Sequence, residues 1–342
     1  MRIKETAEKL RISPRAIRFY EQKGLIAPLK DGAGGYRRFD DDDMARLQMI
    51  VALREAGLGL DDIRQALPAQ GEPGSAQGEL IRHLELKRAE MAAAWIELKE
   101  TIETADSMLS LLAREKALPV EAMFRLAQEA KRVRELRGGW RDRWDYDRLA
   151  DTHDSVVGSN SGEYTDYDRA LDLIVTWISA VPGEEGLDLG TGTGNLAGRL
   201  MRRGAKMAGV DQSRAMLDRC RAKFPEMETK VGNLLAVPYT SEKFDFVVSS
   251  FALRHLEDGQ RRLALEETIR VLKPRGRICI ADRMPAGERT PEREGRPERP
   301  PDGQNPLASV TEIAEFFEAR HYVVKIKRLN DLLHVVYAVP IR

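Results

Sequence analysis

The stretch Gly186-Leu-Asp-Leu-Gly-Thr-Gly-Thr-Gly-Asn195 decides the fold of the C-terminal half of this chain. A short apolar run enters a glycine-rich turn, and a helical pattern follows. Glycines let a ligand approach the backbone, and the N-terminus of a helix offers free N–H groups. The segment therefore predicts a strand, a ligand-binding turn and a helix.

The spacing of these glycines distinguishes between two nucleotide ligands. A dinucleotide site of the form G-x-G-x-x-G requires glycine at position 195, where this chain has Asn195. The observed G-x-G-x-G, with Asp188 two residues before Gly190, favours S-adenosylmethionine (SAM). Asp211 ends the next apolar run, 21 residues after Gly190, and a carboxylate there accepts both ribose hydroxyls.

Helical patterns alternate with short apolar runs from about residue 168 to the end of the sequence. This alternation predicts an α/β sheet with crossover helices. The last two runs predict an antiparallel hairpin at the sheet edge. Cys220 and Cys279 are expected to be buried, and the Pro-, Arg- and Glu-rich residues 284–305 to form a mobile loop. The runs are Gly186–Leu189, Met207–Val210, Phe244–Ser249, Arg277–Ala281, Tyr322–Lys327 and Leu333–Val339.

Further motifs extend the pattern on both sides of the glycine-rich turn. His153-Asp154 and Tyr167-Asp-Arg-Ala-Leu-Asp172 precede it, and Gly232-Asn233, Phe244-Asp245 and Leu272-Lys-Pro-Arg-Gly276 follow it. With these motifs, residues 150–342 resemble a class I SAM-dependent methyltransferase. The resemblance implies a Rossmann-like seven-stranded mixed sheet with a reversed final hairpin.

The resemblance also implies roles for individual residues. Gly190, Gly192 and Gly194 would line the methionine end of SAM, Asp188 would help to place its amino group, and Asp211 would hold the ribose. Asn233 stands where many relatives have aspartate to receive the adenine N6 hydrogens, and an amide oxygen still accepts them. The SAM site as a whole is expected within residues 188–235.

The methyl acceptor is expected to be a small molecule. Amino-methylating DNA enzymes of this fold carry an N/D-P-P-Y/F motif where this chain has Ser249-Ser-Phe-Ala-Leu-Arg254, and the chain has no Pro-Cys pair for attack on cytosine. His255 is a candidate general base, with a structural histidine as the alternative. Aromatic residues between Trp140 and Trp177 either wall a pocket or pack in the core. The candidate substrate pocket comprises Trp144, Tyr146, His153, Tyr164, Tyr167 and Arg254.

The N-terminal segment has the pattern of a winged helix-turn-helix. Ser13 is a natural N-cap and Pro14 suits the first helical turn. The helix Pro14–Lys23 exposes Arg15 and Arg18, and the glycine-rich Lys30–Phe39 predicts a hairpin wing. Residues 1–38 contain ten basic and four acidic side chains, a net charge of +6 that suits DNA. A small solvated helical domain is the alternative on these features alone.

Two longer sequence motifs favour the DNA-binding winged helix-turn-helix over the small solvated helical domain. SPRAIRFYEQKGLIAP, from Ser13, and GYRRFDDDDMARLQMIVALREAGLGLDDI, from Gly35, resemble the MerR family of transcription regulators. The family implies a homodimer that binds a two-fold double-stranded DNA operator and acts on RNA polymerase at the promoter. Carried over, Arg15 and Arg18 read bases or phosphates, Tyr20 and Tyr36 contact the DNA backbone, and Arg37 contacts a phosphate from the wing.

Residues 79–115 have the repeat of a dimerisation coiled coil. Eight of nine seam positions, spaced alternately by four and three residues, are apolar, and Arg88 is the ninth. An amphipathic helix packed on its own domain is the alternative. Metal sensors of the MerR family place cysteines at and beyond this helix, and this chain has none there, so no metal site is expected. The predicted domains are therefore 1–72 for DNA binding, 79–115 for dimerisation, 116–149 as a helical connector and 150–342 for methyl transfer.

The composition sets outer limits on the function. Fifty-five basic and 55 acidic residues give no net charge, which excludes a uniformly basic nucleic-acid coat but not a local basic patch. The longest apolar runs are about half a membrane span, so a cytoplasmic protein without a membrane partner is expected. We expect a MerR-type regulator whose C-terminal effector domain binds SAM. The alternatives are an active small-molecule methyltransferase that regulates its own operon, and a degenerate domain that serves only as a dimer scaffold.

Overall fold

A computed structural model of the chain describes residues 1–31, 35–67, 76–115, 118–138, 145–285 and 309–341. It divides into two compact units, an N-terminal unit of Met1–Glu90 and a C-terminal unit of Met91–Arg342. Trp140, Trp144 and most of the predicted 284–305 loop lie outside the described residues. None of the described helices is long and apolar enough to cross a membrane.

The N-terminal unit begins with a helix-turn-helix followed by a two-stranded wing. The hydroxyl of Ser13 caps α2 by accepting a hydrogen bond from the N–H of Ala16 at 3.1 Å, as its position before Pro14 predicts. Ile17, Leu47, Ile50 and neighbouring apolar side chains form the core. The elements are α1 Ile3–Leu10, α2 Pro14–Gln22, β1 Leu29–Asp31, β2 Tyr36–Arg38, α3 Asp41–Glu55 and α4 Leu60–Ala66.

Two long helices follow, α5 Ala76–Arg114 and α6 Val120–Gly138. The predicted coiled-coil segment is thus helical over nearly its whole length. Within the single chain its seam is largely exposed to solvent, as at Leu98 and Ile102. Homodimerisation through residues 79–115 stays a prediction, because a seam exposed in one chain does not identify what covers it.

The C-terminal unit is built on a seven-stranded sheet of order β5-β4-β3-β6-β7-β9-β8. The first five strands in this order are parallel, and β9 is antiparallel to both β7 and β8. This confirms the predicted sheet with a reversed final hairpin. The strands are β3 Glu185–Leu189, β4 Lys206–Asp211, β5 Glu228–Val231, β6 Phe244–Ser250, β7 Leu272–Arg283, β8 Tyr322–Arg328 and β9 Leu333–Pro340.

Helices cover both faces of this sheet. One apolar core joins the sheet to side chains of α12 and α13, and a second joins it to those of α9, α10 and α11. Cys220 and Cys279 are buried as expected, and both lie in the second core. The helices are α7 Tyr146–Leu149, α8 His153–Gly158, α9 Tyr167–Ile178, α10 Asn195–Met201, α11 Arg214–Lys223, α12 Asp258–Val271 and α13 Val310–Glu318.

The helix α6 is attached to the C-terminal unit through α12. The side chain of Leu136 packs against Gly259, and the carbonyl of Leu136 accepts a hydrogen bond from Gln260 Nε2 at 3.1 Å. Arg137 of α6 also forms an ion pair with Glu100 of α5. The second half of α5, α6 and α12 are therefore linked by direct contacts within one unit.

Candidate functional site

The glycine-rich turn lies at the carboxyl edge of the parallel strands, where the strand order reverses. The chain proceeds from β3 outward through β4 to β5 and then returns to β6 on the other side of β3. In open α/β sheets, ligands bind at such a switch point. Residues after β3, β4, β5 and β6 all line one cleft at this edge, whose empty volume, its open mouth included, is about 830 Å³.

The structure brings most of the predicted site residues together in this cleft. Its described lining includes the predicted cofactor residues Gly190, Gly192, Asp211 and Asn233, the predicted substrate-pocket residues Tyr146, His153, Tyr164 and Tyr167, and the candidate general base His255. Asp188, Gly194 and Arg254 lie behind this wall. Thr191, Leu196, Gln212, Met216, Leu234, Ser250, Phe251, Ala252 and Leu256 complete the described lining without having been predicted.

Asp211 joins the ends of β3 and β4. Its Oδ2 accepts a hydrogen bond from the N–H of Gly192 at 2.8 Å, and its Oδ1 accepts one from the N–H of Ser213 at 2.9 Å. The residue therefore shapes the turn, and it also lines the cleft.

Glycine is required for different structural reasons at the three positions of the turn. All three have positive φ, which favours glycine. A Cβ at Gly190 would lie 2.5 Å from Cβ of Ala252, and one at Gly194 would lie 2.7 Å from Sγ of Cys220. A Cβ at Gly192 would meet only Nε2 of His153, at 3.6 Å, so at this position the backbone itself faces the cleft.

Asp188 is buried beneath the same turn, with 1% of its surface exposed. Its Oδ2 accepts a hydrogen bond from the hydroxyl of Thr191 at 2.9 Å, whereas Oδ1 has no hydrogen bond of normal geometry among the described residues. Burial raises the pKa of Asp188 to about 7, and Thr191 and the Ala197 backbone offset this only in part. A buried acceptor with spare capacity is what a cationic ligand group would neutralise.

Asn233 uses its carbonyl oxygen to hold its own loop. Oδ1 accepts hydrogen bonds from the N–H groups of Leu235 and Ala236 at 2.9 and 3.0 Å. An amide oxygen has two acceptor positions, so both are used. The amide NH2 is therefore the part of Asn233 that remains for a ligand.

Tyr146 and His255 form a hydrogen-bonded pair across the cleft. The Oη of Tyr146 lies 2.6 Å from Nε2 of His255. Burial lowers the pKa of His255 to about 3, with a further contribution from the charge of Arg254, and burial raises the pKa of Tyr146. Both groups are therefore neutral near pH 7. A neutral imidazole is free to accept a proton but holds it weakly here, so His255 would be a poor general base.

Arg254 stands behind this pair as a buried cation, with 7% of its surface exposed. Its Nη2 donates a hydrogen bond to Oη of Tyr164 at 3.0 Å, and its Nη1 lies 3.3 Å from Oε2 of Glu163. The buried carboxylate of Asp282 accepts a hydrogen bond from the Arg254 backbone N–H. Nε of Arg254 also lies within hydrogen-bonding distance of Nε2 of His255, at 3.4 Å, so Arg254 acts on the cleft through Tyr164, through His255 and through its field.

A cluster of aromatic rings forms one wall of the cleft. The ring centroids of Tyr164, Tyr167 and Phe251 lie 5.3 to 6.0 Å from one another. The ring of His153 meets Tyr164 edge-on at 6.4 Å, and burial lowers the pKa of His153. Four ring-bearing side chains from three segments thus make an apolar wall.

The segment that contains Tyr146 and His153 is fastened to the glycine-rich turn. The carboxylate of Asp154 accepts hydrogen bonds from Thr193 Oγ1 at 2.5 Å, Asn195 Nδ2 at 3.0 Å and Lys223 Nζ at 2.9 Å. These contacts lower the pKa of Asp154 despite the opposing effect of its partial burial. We call residues 145–167 the cap. The sequence motif contains Asp154, but its partner Lys223 is 69 residues away and was not predicted.

The predicted DNA-contacting residues lie on the N-terminal unit. Arg15, Arg18 and Tyr36 are exposed, and Tyr36 has 70% of its surface accessible. Tyr20 is half-buried against the core. Nε of Arg37 donates a hydrogen bond to Oε2 of Glu21 at 2.5 Å, so this wing residue also ties the wing to α2.

Three family models match the chain. The MerR HTH regulatory-protein family matches residues 1–70, the MerR DNA-binding family residues 44–108, and the methyltransferase-domain family residues 187–276. The chain fuses a MerR-type DNA-binding region to a methyltransferase domain. This confirms the two resemblances on which the sequence interpretation was based.

Curated relatives carry the same methyltransferase name. An uncharacterized methyltransferase of Alkaliphilus oremlandii is 33% identical over 41% of this chain and 66% of its own length. The chain thus spans just under two thirds of that relative. One of Bacillus licheniformis is 26% identical over 56% of the chain and 95% of its own length. A solved Haemonchus contortus phosphoethanolamine N-methyltransferase 2 in complex with SAM is 18% identical over 59% of each chain, with a TM-score of 0.47.

Proposed function

We propose that this protein is a DNA-binding transcription regulator whose methyltransferase domain binds SAM in the cleft. SAM binding would change the affinity of the protein for DNA. The observation that carries the proposal is the cleft at the switch point, where Gly192, Asp211 and Asn233 meet although they lie at or after the ends of three different strands. Asp211 would accept hydrogen bonds from the ribose hydroxyls. Because only glycine leaves this approach open, the methionine part would run along the backbone at Gly192.

Two further features support a cationic adenosine ligand. The buried carboxylate of Asp188 is only partly satisfied, and a cation near the turn would stabilise its charged form. The NH2 group of Asn233 would donate to a ring nitrogen of adenine, because its oxygen is engaged by the backbone. This contact replaces the N6 contact that the sequence suggested. SAM would supply the electrophilic methyl group, and the protein would orient it and exclude water.

The signal would pass through contacts within the C-terminal unit. The cap is fastened to the turn through Asp154 and begins seven residues after the end of α6. The helix α6 packs on α12 and pairs with α5, which is continuous with the proposed dimerisation segment. A change in the cap on SAM binding would bias α6 and α5. In a homodimer joined through residues 79–115, this would alter how two N-terminal units engage an operator and RNA polymerase.

The second candidate function is that of an active small-molecule methyltransferase that regulates its own operon. The cleft extends beyond the cofactor residues to Tyr146, Tyr164 and His255, which leaves a wall for a second molecule. Methyl transfer requires proximity and alignment more than a strong base. The two candidates share the SAM site and differ in whether the methyl group is transferred.

The test is a calorimetric titration of the full chain with SAM, followed by measurement of its affinity for a duplex that the protein selects from random-sequence DNA. We expect micromolar SAM binding that is lost in Asp211→Ala and kept in Asp218→Ala, which removes an exposed carboxylate of α11. Saturating SAM should change DNA affinity by about fivefold or more. SAM binding without any effect on DNA affinity would leave the enzyme as the function, and absence of SAM binding would overturn both candidates.

A further inference from the structure

The part of the cleft beyond the proposed cofactor residues carries a chemical preference of its own. The inference rests on the proposed SAM site and concerns the second molecule that would lie beside it. Tyr164, Tyr167 and Phe251 offer ring faces and edges at 5.3 to 6.0 Å spacing, and all three line the cleft. Such walls bind flat apolar ligands better than flexible polar ones.

The charge distribution disfavours permanently charged ligands in this part of the cleft. Among the described residues that line it, Asp211 alone carries a charge near neutral pH, and it lies on the cofactor side. The cation of Arg254 is already hydrogen-bonded to Tyr164 and paired with Glu163. A carboxylate or phosphate ligand would lose its hydration here, and none of the described residues that line the cleft offers a positive charge in return. Burying such an anion costs free energy. A cationic amine would be repelled by Arg254 and by the sulfonium.

Tyr146 and His255 supply hydrogen-bonding groups in these apolar surroundings. Their 2.6 Å hydrogen bond places a phenolic O–H and an imidazole at the cleft wall. A neighbouring hydroxyl or its anion would accept a hydrogen bond from Tyr146 if that O–H rotated away from His255. The field of Arg254, whose guanidinium carbon lies 5.1 Å from the centre of the Tyr164 ring, would stabilise negative charge on such an oxygen.

We propose that the methyl acceptor is an uncharged phenol whose ring lies against Tyr164, Tyr167 and Phe251 and whose hydroxyl is held by Tyr146. The phenol would lose its proton to water, and the resulting oxygen would attack the methyl carbon of SAM. The O–C bond forms as the S–C bond breaks, and the electron pair of the broken bond stays on sulfur. A phenol with a pKa of about 10 ionises without a strong protein base, whereas an aliphatic alcohol does not. Burial lowers the pKa of both cleft histidines, which weakens each of them as a base.

Three ligands with one ring system separate the alternatives. They are 2-naphthol, its alcohol analogue 2-naphthalenemethanol and its carboxylate analogue 2-naphthoate. Their binding to the full chain would be measured by calorimetry with and without S-adenosylhomocysteine, and methyl transfer from SAM by mass spectrometry. We expect naphthol to bind about tenfold or more tightly than naphthoate. We also expect naphthol to be the only one of the three that is methylated.

Variants test the assigned contacts. Tyr146→Phe keeps the ring and should weaken naphthol binding about fivefold, the loss of one hydrogen bond. Tyr322→Phe removes the hydroxyl of a β8 tyrosine whose ring packs against Phe317 of α13, so it is the matched control and should change nothing. Equal or tighter binding of naphthoate, or methylation of the alcohol as fast as of naphthol, would overturn the proposal.

The failure of this proposal is distinguishable from failure of the cofactor site. If S-adenosylhomocysteine binds while naphthol does not, the proposed SAM site is supported and the proposal of a phenol as methyl acceptor is wrong. If S-adenosylhomocysteine itself does not bind, the proposed function falls and the phenol as methyl acceptor falls with it. An unchanged naphthol affinity in Tyr146→Phe would remove Tyr146 from the site even if naphthol is methylated.

Discussion

The two units of this chain place their functional residues in opposite ways. In the N-terminal unit, the residues assigned to DNA are exposed or half-buried and lie within 23 positions of one another, from Arg15 to Arg37. In the C-terminal unit, the candidate site residues are half-buried or buried and span from Tyr146 to His255. A surface that reads DNA can be specified by one short segment, whereas a cleft requires several strands to end at one edge. The two units should therefore respond differently to substitution.

The largest effect is expected from Gly192→Ala. The added Cβ would point into the cleft beside His153 and keep the ligand from the backbone, and crowding by one methyl group costs up to about 3 kcal/mol. SAM affinity measured by calorimetry should fall on the order of a hundredfold. Gly183→Ala is the matched control, because Gly183 also has positive φ but a Cβ there meets nothing within 4 Å. Equal losses in both variants would mean that backbone strain, and not access to the turn, is responsible.

The pH dependence of stability should reveal the raised pKa of Asp188. Its pKa of about 7 in the folded protein lies above the usual value of 3.8. The folded state therefore holds a proton that the unfolded state has released, so this group's contribution to stability falls as pH rises from about 4 to 7. The slope is about 1.4 kcal/mol per pH unit within this window. In Asp188→Asn the fall in Tm between pH 5 and 7 should be smaller than in the wild type, and parallel curves would contradict the raised pKa.

In the N-terminal unit, Arg18→Ala should impair DNA binding and leave SAM binding intact. Arg18 is exposed on α2, so its loss should not unfold the unit, but it removes one DNA contact. The affinity for selected duplex DNA should fall about tenfold, and SAM affinity should not change. If Arg18 contacts a phosphate, the slope of log affinity against log salt should also decrease by about one. Arg82→Ala, which removes an exposed basic residue of α5, serves as the control. Loss of SAM binding in folded Arg18→Ala would show that the units are not independent.

The same contrast explains what the sequence could and could not predict. The winged helix-turn-helix, the sheet with its final hairpin and the glycine turn follow from local patterns. The strand β5 was not among the predicted runs, because Glu228-Thr-Lys-Val231 is short and only Val231 is buried. The pairing of Tyr146 with His255 and the use of the Asn233 oxygen by its own loop depend on contacts between side chains and folded backbone. Such contacts leave no periodic signal.

The smallest effect is expected at the fastening of the cap, and it tests whether the C-terminal unit communicates with DNA. Lys223 donates to Asp154, Thr193 and Asn195, but it is half-exposed, so its loss should weaken SAM binding only about threefold. Lys223→Met should speed SAM dissociation in stopped-flow measurements and reduce the effect of SAM on DNA affinity. Lys206→Met, at the exposed start of β4, is the control. Faster dissociation with an unchanged effect on DNA would mean that the cap closes the cleft but does not carry the signal, and α12 with α6 would then be the connection to test.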